Sequence, residues 1–281
     1  MRLVTVESSP APRAAMLREG RVLDIWGEAF AYFREEDRTI YALLQGGLMP
    51  EVRAVETDGV PVDEVQLLAP IARPGKIVCI GLNYGTHAEE AGIDPPETPT
   101  FFAKYANAIA APGAEVALPS TSRKVDYEAE VAFVIGDRCK DVSEDEAMNH
   151  VAGYMLLNDL SARDLQFSTP QWMPGKVFDG SAPCGPALVT PDEAGPHDAI
   201  EIELRLNGEV MQSASTADLI HSVPALVSHL SGLMTLDPGD IVATGTPSGV
   251  GGAREPRVWL KPGDEVVVSS PQLGELETRI A

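Results

Sequence analysis

The sequence predicts an α+β fold dominated by β-strands. Three observations carry that expectation. Residues 125–136, VDYEAEVAFVIG, alternate as a strand does, with Asp126, Glu128 and Glu130 on one face and Tyr127, Ala129, Val131 and Phe133 on the other. Glu19-Gly20 and Asn207-Gly208 each separate two apolar alternating runs, as hairpin turns do. Helical patterning is confined to four short stretches, near residues 40–48, 85–92, 143–150 and 223–233.

The 281 residues, 44% of them hydrophobic, are enough to bury a substantial core. With 21 basic against 42 acidic residues the formal charge is −21, a field that repels nucleic acid and anionic membrane surfaces. The N-terminal MRLVTV lacks the apolar core and cleavage site of a signal peptide, and no apolar run has the length of a membrane span. A cytoplasmic location is therefore expected. Cys79, Cys139 and Cys184 are isolated, without CxxC spacing, and are expected to be buried thiols rather than disulfide or metal-thiolate partners.

In chain order, residues 1–70 form a small N-terminal module, with the Glu19-Gly20 hairpin and a helix from Ile40. The Pro- and Gly-bearing stretch 66–75 marks the boundary to a larger domain, 71–281. A buried strand from Lys76 then runs into a helix that Gly92 can end. His87 and Glu90 lie three apart on it, so the carboxylate can orient the imidazole as it does in a general base, or the two can form an ordinary surface pair. Pro95-Pro96 stiffens the exit, and the glycines at 81, 85 and 92 give this segment the joints of a lid. Lys104 ends the next strand and can face a site or solvent.

The acidic stripe at 126, 128 and 130 is costly, because neighbouring carboxylates repel and desolvation raises their pKa unless a cation lies among them. Oxygen-only ligands favour Mg²⁺, Mn²⁺ or Ca²⁺ over Zn²⁺. A solvated edge-strand face has the same spacing. Asp159 follows a buried strand that ends at Asn158, as a third ligand or a helix N-cap. Lys176 sits among aromatics, glycines and a proline, where an amine can stabilise an oxyanion. Residues 237–252 make a turn, a strand and a Gly-rich loop without the lysine of a P-loop, a backbone suited to lining a pocket with Thr244 or Thr246.

Taken together, Gly81-x-Asn83-Tyr84-x-x-His87, Tyr127-Glu128-Ala129-Glu130, Asn158-Asp159-x-Ser161-Ala162-Arg163-Asp164-x-Gln166, Gly175-Lys176 and the Gly239–Gly251 run resemble the fumarylacetoacetate hydrolase family, from about Arg73 to the C-terminus. The resemblance implies a mixed β-sandwich roll, a homodimer, one Mg²⁺ or Mn²⁺ per subunit and a small 2-oxo acid substrate. It assigns Glu128, Glu130 and Asp159 to the metal, and His87 with Glu90 to the acid–base pair on a mobile lid. Lys176 joins the catalytic set, while Gln166, Thr246 and Lys104 are expected at the substrate. The chain looks more like the shorter acylpyruvase and FAHD-like branch, although Leu82 stands where some acylpyruvases carry arginine and Tyr105 replaces a common proline. The implied reaction is metal-dependent hydrolysis of a carbon–carbon bond in an acylpyruvate-type 2,4-dioxo acid such as fumarylpyruvate. The alternatives are decarboxylation of oxaloacetate, or isomerisation of 2-hydroxyhepta-2,4-diene-1,7-dioate-type acids in aromatic catabolism. A non-catalytic metal-binding β module is the rival from another class; such a module needs neither Lys176 nor His87.

Overall fold

A computed structural model describes residues 1–92 and 94–281; Ile93, within the expected lid, lies outside the described residues. A central sheet runs from edge to edge through Val60–Pro61, Arg21–Leu23, Arg13–Arg18, Arg2–Val6, Ala182–Val189, Val151–Asn158, Ala129–Ile135, Ile241–Ala243, Ile77–Gly81 and Thr100–Lys104. Neighbours on this path are antiparallel except Ile241–Ala243 beside Ile77–Gly81, which is parallel. The middle strands are almost wholly apolar because both their faces are covered. A second sheet, in the order Glu209–Ser215, Glu201–Leu206, Glu265–Ser270, Gly274–Ile280 and Glu115–Val116, packs on one face. Val131, Phe133 and Leu156 of the first sheet share one core with Leu204, Val266 and Leu276 of the second. Burying each such side chain contributes roughly 1.5–3 kcal/mol.

The opposite face of the central sheet is covered from the N-terminal stretch. Ala132, Val134, Met155 and Leu157 pack there with Leu3, Met16, Ile40 and Leu43. The helix Ile40–Gln45 that supplies two of these is capped by Thr39, whose hydroxyl accepts from the Ala42 N–H. Arg2 lies opposite Val189 and Leu3 opposite Leu188, so residues 1–70 extend the central sheet instead of closing on a sheet of their own. All three cysteines are buried and free.

The acidic stretch is not one continuous strand. Val125–Asp126 pairs with Ser161–Ala162, and the long strand starts only at Ala129. Side chains take the main-chain bonds that a ladder would otherwise make: Asn158 Oδ1 accepts from Glu128 N, and Gln212 Oε1 from Ala129 N. Asp126 therefore leaves the stripe and accepts from the N–H groups of Tyr127, Gly251 and Gly252.

Candidate active site

Glu128 and Glu130 enter from the start of the Ala129–Ile135 strand, and Asp159 from the end of its neighbour. One oxygen of each lies within 4.8 Å of the others, and all three residues are buried. Lys104 Nζ is 2.6 Å from Asp159 Oδ1, and Lys176 Nζ is 2.7 Å from both Asp159 Oδ2 and Glu128 Oε2. Arg163 reaches Glu128 Oε1 through Nη1 at 2.6 Å and Asp126 Oδ2 through Nε at 2.9 Å. Burial opposes the charge on Glu128, but Lys176 and Arg163 hold its carboxyl well below the usual range. Burial likewise works against the Lys176 ammonium, and Asp159 with Glu128 nonetheless raises its pKa above the ordinary lysine value. Glu130 differs. Burial, then Asp159 and Glu128, push its carboxyl well above the ordinary value; the Gly245 N–H is its hydrogen-bond donor, and among the described residues no basic side chain pairs with it. An anionic, all-oxygen donor set with one carboxylate lacking a counter-charge fits a hard divalent cation.

A cavity of about 700 Å³ opens over this cluster, lined in part by His87, Glu90, Glu128, Glu130, Gln166, Lys176 and Thr246. Lys176 is seated by the Met173–Gly175 turn, which packs so tightly on the Arg163–Gln166 helix that a Cβ on Gly175 would collide with the Ala162 carbonyl. The Phe102 ring lies 4.9 Å from its amine. Gln166 Oε1 accepts from Arg163. Thr246 Oγ1 accepts from Gln212 at 2.8 Å, which leaves its own hydrogen for the cavity. Lys104, expected at the substrate, does not line the cavity. Its side chain is fully buried behind Asp159, and its amine is engaged by that carboxylate.

The helix Gly85–Ala91 closes over the cavity. His87 Nδ1 is 3.3 Å from Glu90 Oε2, and Glu90 accepts from the Gly249 N–H at 3.0 and 3.2 Å. The Gly249 carbonyl in turn accepts from Tyr127 Oη and Arg254 Nε. Burial raises the Glu90 pKa, yet His87, the Gly249 N–H and nearby Arg254 bring it below the ordinary value. Asn83 ties the base of the helix to the Gly-rich loop, donating to Thr244 O at 2.8 Å.

The family model described as Fumarylacetoacetate (FAA) hydrolase C-terminal matches residues 76–281. The chain belongs to the fumarylacetoacetate hydrolase family. It is 45% identical over 230 residues to the mitochondrial oxaloacetate tautomerase FAHD2A of Bos taurus, covering 81% of this chain and 73% of that one. Among solved structures, 2-hydroxyhepta-2,4-diene-1,7-dioate isomerase from Mycobacterium marinum superposes with a TM-score of 0.79 at 32% identity, over 100% of this chain and 98% of that one. Maleylpyruvate hydrolase from Sphingobium sp. SYK-6, in complex with manganese(II) and pyruvate, gives 0.83 at 27% identity, over 100% and 99%.

In this member of the fumarylacetoacetate hydrolase family, strand alternation put Asp126 on one face with the expected ligands Glu128 and Glu130, and Arg163 had no role in the expected site. The structure pairs the two with each other. Arg163 carried a usable signal, since a basic residue four positions after a buried aspartate has an acidic cluster within reach. Gln212 and Arg254 carried none, because Gln212 meets the site through main-chain atoms and Thr246, and Arg254 is brought to the cavity wall by main-chain carbonyls of Gly249 and Met211. Leu82 lines the cavity at φ 56°, a left-handed conformation that costs a leucine about 1–2 kcal/mol. No described helix is long and apolar enough to cross a membrane.

Proposed function

We propose that this chain is a divalent-metal-dependent enzyme that transfers a proton next to the ketone of a 2-oxo acid, as a tautomerase or isomerase. The observation that carries this reading is the His87–Glu90 pair facing the same cavity as the carboxylate cluster and Lys176. Glu128, Glu130 and Asp159 would hold Mg²⁺ or Mn²⁺. The chemistry such an ion supplies when bound is Lewis-acid polarisation of the ketone. Glu90 occupies Nδ1 of His87 and fixes its tautomer, so Nε2 is the nitrogen that takes the proton from the carbon beside the ketone and returns it. The Lys176 ammonium stabilises the negative charge that develops on the ketone oxygen. Thr246 and Gln166 offer polar contacts for the substrate carboxylate.

Hydrolytic carbon–carbon cleavage of an acylpyruvate is a second reading, favoured by a cavity larger than a four-carbon acid requires and by the likeness to a maleylpyruvate hydrolase. In it, His87 takes its proton from water instead of carbon. The two are separated by incubating the Mn²⁺-loaded protein with oxaloacetate and with acylpyruvates in D₂O. Deuterium incorporation at C3, followed by NMR and lost in His87→Ala, is the expected result. Pyruvate release from an acylpyruvate would move the assignment to the hydrolase, and neither reaction from metal-loaded protein would refute both.

A further inference from the structure

Glu90 is held from outside its own helix. Both of its oxygens accept from the Gly249 N–H, at 3.0 and 3.2 Å, and Oε2 also meets His87 Nδ1 at 3.3 Å. The side chains of His87 and Glu90 are only 14% and 22% exposed, so the docked loop shields a pair that would stand in water on a free helix. The geometry of the pair therefore depends on where the Gly249 N–H points. Gly249 adopts φ 103°, a conformation open to glycine, and a Cβ there would collide with the Met211 carbonyl. Arg254 bridges the same two residues. It donates through Nε to the Gly249 carbonyl at 3.1 Å and through Nη2 to the Met211 carbonyl at 2.7 Å, which staples the Gly-rich loop to the strand Glu209–Ser215. A planar guanidinium offers two donors in fixed relation, as a lysine amine does not. Tyr127 Oη takes the second lone pair of the Gly249 carbonyl at 3.2 Å, so that carbonyl has no freedom to turn.

We propose that Arg254 is a positioning residue for the His87–Glu90 pair. By stapling Gly249 to Met211 it presents the N–H on which Glu90 docks, so the helix Gly85–Ala91 closes in the one pose that aims His87 into the cavity. Arg254 moves no proton in this role and acts only through Gly249 and Glu90. The inference rests on the proposed function, which makes His87 the group that transfers the proton.

The test follows amide hydrogen exchange of residues 85–91 in the Mn²⁺-loaded protein with oxalate, a readout that needs no turnover. Arg254→Met should speed exchange there by about tenfold or more, the worth of one charge-assisted hydrogen bond. Arg254→Lys, which keeps the charge and the stem but reaches one carbonyl, should do nearly the same, and it decides the matter if the methionine variant fails to fold. Exchange in the helix Val223–Leu233 should not change, which separates a local loss from general loosening. Glu90→Ala should speed exchange in residues 85–91 likewise, and adding Arg254→Met to it should do nothing more, because the docking group is already gone. In turnover, the loss in Arg254→Met should fall on kcat, by about tenfold, rather than on KM. Exchange unchanged in both Arg254 variants, or additive changes in the double variant, would overturn the positioning role. A loss confined to KM would overturn it as well and make Arg254 a substrate contact. Deuterium incorporation that survives His87→Ala would refute the proposed reaction alone, since the exchange measurement reads the docking without it.

Discussion

Replacing Arg163 with methionine removes the cation shared by Asp126 and Glu128 while keeping most of the side-chain volume. The Asp126 side chain is 0% exposed, that of Glu128 7% and that of Arg163 12%, so neither carboxylate can turn to water instead. Removing one partner of a buried pair costs about 3–5 kcal/mol. Asp126 keeps three main-chain N–H donors and Glu128 keeps Lys176, which places the loss at the lower end, about 3 kcal/mol. For 281 residues, at roughly 2.1 cal/mol/K of unfolding entropy per residue, that lowers the melting temperature by about 5 °C. Calorimetry of the metal-free protein measures the shift, and guanidinium unfolding the free energy. Asp126→Asn in the same chain removes the carboxylate that Arg163→Met strands, so the double variant should lose clearly less than the two single losses added together. A loss under about 1 kcal/mol for Arg163→Met, or strict additivity, would show that Arg163 does not hold this corner of the site.

Three further outcomes are expected. Glu130 has a raised pKa in the folded metal-free chain, so the native state binds more protons than the unfolded one and stability falls as pH rises through that range. Because Mn²⁺ needs the ionised carboxylate, the melting-temperature gain from added Mn²⁺ should grow as pH rises above the ordinary carboxylate range and vanish in Glu130→Gln; a pH-independent gain would contradict this. Lys176→Met should lower kcat by roughly 10²-fold or more with a smaller change in KM, and an effect confined to KM would make the amine a ground-state binding group. His87→Ala should cut turnover by about 10²–10⁴-fold while oxalate still binds the metal-loaded protein. Glu90→Gln added to it should cost little more, since the two act as a unit, and additive losses would separate them.

Much of the fold is set by local chemistry and could be read from it. Glu19-Gly20 and Asn207-Gly208 turn as hairpins because both residues of each pair adopt positive φ, at 51° and 73° and at 51° and 83°. The helix Val223–Leu233 starts where Ser222 caps it and Pro224 suits its first turn. The carboxylates at 128, 130 and 159 converge as the strand ends allow. What local pattern could not give is the break at Tyr127–Glu128, which depends on Asn158 and on Gln212 from a different sheet. Strand periodicity therefore set Asp126 on one face with Glu128 and Glu130, although it belongs to a separate strand. Lys104 was ambiguous for a related reason: a strand-end lysine is equally compatible with solvent and with a buried carboxylate, and only the packing of the Val151–Asn158 strand end behind the cavity decides between them.

The union of residues 1–70 with the central sheet also bears on proteolysis and self-association. The strand Ala182–Val189 is bordered on that side by two short partners, Ile109–Ala110 along Ala182 and Pro183, and Arg2 and Leu3 along Leu188 and Val189. If a nick in the N-terminal stretch let its strands peel away, the Leu188 end would become an open edge with unpaired main-chain groups beside the apolar face that Ile40 and Leu43 now cover. Such an edge is a template for pairing with another chain. Trimming this protein from its N-terminus should thus give sticky aggregates, not a smaller working enzyme, even though the carboxylate cluster lies wholly within residues 76–281.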